Sequence, residues 1–135
     1  MIQFHYSYPS FRIRSAAKVK AWISSVASSE RKKIKQINYI FVDDKTLREM
    51  NRQSLNHDYF TDILTFAYAY NPIEGEMYIS IDRIKDHAIQ FKVSASTELY
   101  RVMVHGLLHL CGYDDLNKSK KAIMSSLEDK YLKLL

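Results

Sequence analysis

Two histidines four residues apart, His105 and His109, stand in the stretch HGLLHLCGYDD (105–115). On a helix, residues at i and i+4 lie one turn apart on one face, so two imidazoles can aim nitrogen lone pairs at a single point. This is how H-x-x-x-H helices supply two metal ligands. The plainer alternative is a pair of histidines on a half-exposed polar stripe, hydrogen-bonded to neighbours or water. The residues that follow favour the metal. Gly112 can take positive φ at a helix end and reverse the chain, bringing Tyr113, Asp114 and Asp115 back toward the histidine face. A carboxylate arriving there would complete three protein ligands and leave a position open for water, as a hydrolytic metal centre requires.

The helix that must carry these groups runs from Ser94 or Ser96, as cap, to about Cys111. At about 100° per residue, Glu98, Arg101, His105 and His109 share a sector of roughly 80°. Leu99, Val102, Met103, Val104, Leu107, Leu108 and Leu110 occupy nearly all the rest, so this helix is expected to be buried, with both histidines on its one polar stripe. Cys111 lies about 200° around the axis from His109 and reads as a buried inert thiol rather than a ligand. His5, His57 and His87 fall outside the constellation and read as surface residues.

Around that helix the chain alternates between elements. Ile2 to Tyr6 reads as a strand, and Ser15 to Ser29 as a helix with apolar residues at three- and four-residue steps. INYIFVDD (37–44) is β-branched and aromatic, a second strand, and Asp43 or Asp44 can cap a helix over Lys45 to Gln53. TDILTFAYAY (61–70), the turn NPIEG (71–75) and EMYISIDRI (76–84) suggest two antiparallel strands. A helix from Asp82 to Phe91 and a last one over Lys118 to Leu132 complete the chain. The expectation is one α+β domain over residues 1–135, with about four strands in a mixed sheet and about five helices. The metal site is expected at the C-terminal end of the central helix.

Composition sets the class. The chain has 135 residues, 47% hydrophobic and 26% charged, which suits one globular domain and argues against disorder. A net charge of +5 gathers in RKKIK (31–35), RIK (83–85) and KSKK (118–121). Such clusters suit a polyanion, although basic runs are commonly just a solvated face. Ten tyrosines and six phenylalanines offer stacking surface for unpaired bases, most of them being expected in the core or the strands. The single cysteine excludes an internal disulfide framework and agrees with a reducing compartment. The amino end shows no secretory signal, and the longest apolar stretch, Val102 to Tyr113, is far below the roughly 20 residues a membrane span needs. A cytoplasmic location without membrane association is expected.

HGLLHLCGYDD resembles the H-G-x-L-H-L-x-G-Y-D-H signature of the YbeY family, metal-dependent single-strand endoribonucleases of bacterial rRNA maturation. LREMNRQSLNHDYFTDILTF (47–66) is similar to that family's L-N-x-x-(aromatic)-R-x-x-D-x-x-T-D-V-L-S-F segment, and GEMYIS (75–80) to its G-D-I-x-I-S strand. Met124, Glu128 and Leu132 match the spacing of its final helix. The resemblance covers nearly the whole chain. It implies one metal, zinc in the first instance, on His105, His109 and, by register, Asp115, with Asp114 as the alternative third ligand. It implies a role in catalysis for His105 and substrate contacts from Asn51, Asp58, Thr61 and Asp62. Asp62 could instead orient a ligand histidine, or simply shape the loop into the third strand. The partners implied are single-stranded RNA, rRNA in particular, and the ribosomal small subunit.

Two positions depart from the pattern. The third ligand is an aspartate where the family has histidine, which zinc accepts. Where the family usually carries an arginine thought to hold substrate phosphate, this chain has Leu55, which can neither grip phosphate nor stabilise charge on it. Arg52, Arg48 or Arg101 could substitute, although for each taken singly the plainer reading is that Arg101 pairs with a nearby carboxylate such as Glu98 and Arg52 faces solvent. Gly106 follows the first histidine where H-E-x-x-H peptidases carry their glutamate base, so a zinc peptidase is disfavoured. The competing class is a non-catalytic RNA- or ribosome-binding factor whose metal only fastens Gly112 to Asp115 onto the central helix.

Overall fold

The computed structural model describes residues 1–55 and 61–135, the side chain of Leu55 excepted. Asn56, His57, Asp58, Tyr59 and Phe60 therefore lie outside the described residues, and with them the expectations placed on His57 and Asp58. Among the described residues the elements run β1 (Ile2–Tyr6), α1 (Ala16–Ser29), β2 (Ile34–Val42), α2 (Asp44–Leu55), β3 (Ile63–Tyr70), β4 (Ile73–Ser80), α3 (Ile81–Phe91), α4 (Ala95–Leu110) and α5 (Lys118–Leu132). The strands form one mixed sheet in the order β1-β2-β4-β3. β1 and β4 both pair parallel with β2, and β3 turns back antiparallel on β4, as the turn sequence suggested.

Alternation along the strands decides which face is buried. Ile37, Tyr39 and Phe41 of β2 and Ile73, Met77 and Ile79 of β4 point into the main core, against Trp22, Ile23 and Val26 of α1 and the apolar circumference of α4. The opposite face carries a smaller cluster, Val42 and Leu64 under Leu47 of α2. No helix of the described residues is long and apolar enough to cross a membrane.

Several boundaries move from their sequence-based positions, each for a local reason. β2 begins at Ile34 rather than residue 37, because Ile34 finds a partner in Ile73 of β4. The turn between β3 and β4 shrinks to Asn71 and Pro72, as Tyr70 already pairs with Ile73. β4 stops at Ser80, whose hydroxyl accepts from the amide of Arg83 at 3.1 Å and caps α3, so residues 82–84 are helical. Asp43, not Asp44, caps α2 by accepting from Thr46 N at 2.7 Å. Asp44 instead takes the guanidinium of Arg83 at 2.8 Å and ties α2 to α3. Ser94 rather than Ser96 caps α4.

α4 is the central element. The Tyr39 hydroxyl donates to the carbonyl of Met103 at 3.0 Å, a buried bond between sheet and helix, and burial pushes that phenol far above its usual pKa. At Gly106 the helix lies so close to the sheet that a Cβ would overlap Met77 Sδ and stand 2.8 Å from Ile63 Cδ1. The glycine after the first histidine thus sets the depth of α4 on β3 and β4. Gly106→Val is expected to destabilise the protein by about 2–3 kcal/mol through overpacking, read as a shifted urea midpoint at unchanged m value.

Candidate functional site

His105 and His109 leave α4 half-buried, with ring centroids 4.6 Å apart and nearly perpendicular planes. Each Nδ1 is already engaged. His105 Nδ1 lies 2.7 Å from Glu128 Oε2, and His109 Nδ1 lies 3.0 Å from the carbonyl oxygen of Tyr113. A carboxylate and a carbonyl only accept, so in both rings Nδ1 carries the proton and donates. The two Nε2 atoms, 3.1 Å apart, then face one another with bare lone pairs, an arrangement that calls for a cation or a proton between them.

The turn after α4 brings in the third group. Gly112 has φ of 106°, in the region only glycine enters freely, and it reverses the chain as its position suggested. Asp115 Oδ2 comes to 3.5 Å from His105 Nε2 and 3.9 Å from His109 Nε2. Ligands of a tetrahedral ion with bonds of 2.0–2.1 Å stand roughly 3.3 Å apart, so the three donors fit around one divalent cation with small adjustments. Asp114 is occupied elsewhere: its carboxylate accepts from Leu116 N at 3.1 Å and Lys120 Nζ at 3.0 Å.

Burial works against protonating His105, but the Glu128 hydrogen bond and the charges of Glu128, Asp115 and Asp62 outweigh it and hold the imidazole above its usual pKa. Glu128 itself is buried and also accepts from Arg101 Nη1 at 3.0 Å, while Arg101 Nη2 donates to Asp129 at 2.6 Å. The turn is anchored from the far side, where the Tyr113 hydroxyl donates to Glu30 at 2.6 Å and Tyr131 donates to the same carboxylate. Cys111 is buried and its thiol pushed up to about 11, in keeping with an inert role.

The histidine pair opens into a cleft of about 950 Å³ between the end of α4 and the edge strand β3. Asn51, Thr61 and Asp62, expected near substrate, line it together with His105, His109 and Asp115. Asp62 is not hydrogen-bonded to His105 or His109 and instead faces His87 Nδ1 at 3.7 Å. Arg101 pairs with Glu128 and Asp129 rather than Glu98, and Arg52 on α2 hydrogen-bonds Glu49 at 3.1 Å. Neither arginine lines the cleft. Glu128 was singled out in the sequence only for its spacing, and its contact with His105 spans 23 residues, a separation no local pattern reports. His87 is half-buried rather than a plain surface residue, and Glu98 is buried.

A histidine pair of this kind occurs on many folds, so the architecture around it matters for kinship. The model of the family described as Endoribonuclease YbeY matches residues 3–135. The curated Endoribonuclease YbeY of Flavobacterium psychrophilum is 47% identical over 135 residues, covering 99% of this chain and 96% of the relative. That of Cytophaga hutchinsonii is 43% identical over 92% of this chain and 88% of its own. A solution structure of a Thermotoga maritima protein superposes with a TM-score of 0.73 at 26% identity, covering 98% of this chain and 87% of that one. Motif, whole-chain similarity and fold agree, and the chain belongs to the YbeY family.

Proposed function

We propose that this chain is a metal-dependent, single-strand-specific endoribonuclease, with zinc held by His105, His109 and Asp115. We further propose that it acts in the cytoplasm on rRNA, in maturation of the small-subunit 3′ end and in ribosome quality control. The observation that carries the reading is the pair of Nε2 lone pairs 3.1 Å apart, each fixed by a hydrogen bond on the opposite ring nitrogen, with a carboxylate beside them in an open cleft. The names of the relatives supply the substrate class.

The chemistry that a cation in this position supplies is Lewis-acid activation of phosphoryl oxygen and of water. The remaining roles belong to the chain. Glu128 and the Tyr113 carbonyl hold the imidazoles in the required tautomer and orientation. Arg101 grips Glu128 and is a positioning residue that acts through it. Asn51, Thr61 and Asp62 line the wall against which an RNA strand would lie, and Tyr70, exposed at the edge of the same cleft, offers a face for an unpaired base. Arg52 sits one residue beyond Asn51. Its ion pair with Glu49 is on the surface and so contributes little to the stability of the fold.

The absence of any arginine among the described residues lining the cleft favours one competing reading, an RNA- or ribosome-binding factor with a structural metal. Cleavage of single-stranded RNA by highly purified protein separates the two. The parent should cut, and a folded His109→Ala protein should lose at least about 100-fold in rate, more than outer-shell changes typically cost. Equal rates for both proteins would assign the cleavage to a contaminant.

Zinc content should fall by one per chain in the His105→Ala/His109→Ala double variant. Glu128→Gln, which keeps an acceptor but loses its charge, should weaken zinc by about 10-fold in competition with a chromogenic chelator. RNA affinity should drop steeply with added salt, by a logarithmic slope of about 0.7 per phosphate contacted. A flat salt dependence would remove the basic clusters from the account.

A further inference from the structure

Three ionisable side chains outside the histidine–aspartate set converge from separate elements. Asp62 comes from the segment leading into β3, His87 from α3 and Glu98 from α4, and one donor atom of each lies within 4.8 Å of the others. His87 Nδ1 is 3.7 Å from Asp62 Oδ2 and 3.8 Å from Glu98 Oε2. Hydrogen bonds of this kind close at about 2.7–3.2 Å, so none of these contacts is one. Glu98 is only 5% exposed, and among the described residues its carboxylate accepts no hydrogen bond. Arg101, on the same helix, gives its donors to Glu128 and Asp129 instead.

A carboxylate this little exposed, with no hydrogen-bond donor and only the His87 ring close by among the described residues, is costly to keep charged, and a second carboxylate nearby raises the cost. Burial pushes the Glu98 carboxyl above its usual range, with His87 opposing and Asp62 adding to the effect. A cation between the three satisfies all of them at once. Donors bound at 2.0–2.2 Å to one ion stand roughly 3–4 Å apart, depending on the angle between the bonds; both spacings from His87 fall in that span, and the Asp62 and Glu98 donors lie within 4.8 Å of each other.

We propose that Asp62, His87 and Glu98 form a second divalent-cation site, suited to Mn2+, which accepts two carboxylates and an imidazole. Its ligands are not those of the histidine pair, and of the three only Asp62 lines the cleft that His105 and His109 share. Glu98 precedes His105 by seven residues on α4, a rise of about 10.5 Å, whereas co-catalytic ions sit about 3.5–4 Å apart. Its role is to fasten the chain entering β3 onto α3 and α4. Since Asp62 lines the cleft and its carbonyl accepts from Ser80 N at 2.9 Å, an ion there fixes one wall of the cleft. The proposal does not rest on RNA cleavage.

The test uses the full chain carrying His105→Ala and His109→Ala, so that only the second site remains, with Mn2+ alone as the probe. Titration followed by electron paramagnetic resonance of free Mn2+ should show one ion bound per chain, and Mn2+ should raise the melting temperature. Adding His87→Ala or Glu98→Gln should weaken binding by at least about 10-fold and abolish that rise. Without metal, Glu98→Gln should melt at or above its parent, because it loses a buried charge; a residue needed only for packing would not behave so. If Glu98→Gln fails to fold, His87→Ala, whose ring is a quarter exposed, carries the test. No Mn2+ bound to the double variant, or binding untouched by the added substitutions, overturns the proposal, and loss of RNA cleavage by the parent leaves it standing.

Discussion

A helix that is apolar around most of its circumference has to be enclosed, and α4 is. The sheet takes one side of it, close enough at position 106 to exclude a methyl group, and α1, α3 and α5 take the others. Enclosure leaves one stripe through which polar groups can emerge, and His105 and His109 lie on it. Because they emerge among packed elements rather than into bulk water, each ring meets a fixed acceptor at Nδ1. The packing that stabilises the fold is therefore also what aligns the two Nε2 lone pairs.

The turn after α4 has to be held as firmly, since it carries Asp115, the carboxylate proposed as the third donor. Tyr113 serves it twice: its carbonyl orients His109, and its hydroxyl is bound by Glu30 at the end of α1. That hydrogen bond, ahead of burial, pushes the Tyr113 phenol up to about 12. Tyr131 of α5 shares the Glu30 carboxylate, and the indole of Trp22 donates to the Tyr131 carbonyl at 2.8 Å, so α1, α5 and the turn are tied together. Asp114 is held by Leu116 and Lys120, while Asp115 comes within 4 Å of both histidine Nε2 atoms.

Local pattern made much of this readable in advance. The i, i+4 histidines, the glycine that ends their helix and the alternation in the strands are short-range signals, and the elements they imply are present. Strand order was not readable, because the insertion of β4 between β2 and β3 depends on pairings distant in sequence. The contact of Glu128 with His105 escaped for the same reason. His87 and Glu98 looked like surface and stripe residues, since neither gives a sign of the other until α3 packs on α4. That Asp115 stands beside the two Nε2 atoms while Asp114 holds Lys120 depends on the geometry of the turn. Leu55 shows the limit in the other direction, for its departure from the family pattern is visible only in sequence.

The central claim is that two imidazoles with engaged Nδ1 atoms and one aspartate hold a metal at the end of α4. Zinc K-edge X-ray absorption on the protein loaded with one equivalent of zinc tests it most directly. The account predicts multiple scattering from two imidazoles, nitrogen and oxygen neighbours at about 2.0–2.1 Å, and no sulfur. A zinc–sulfur distance near 2.3 Å, which would bring in Cys111, or scattering from fewer than two imidazoles, would contradict it.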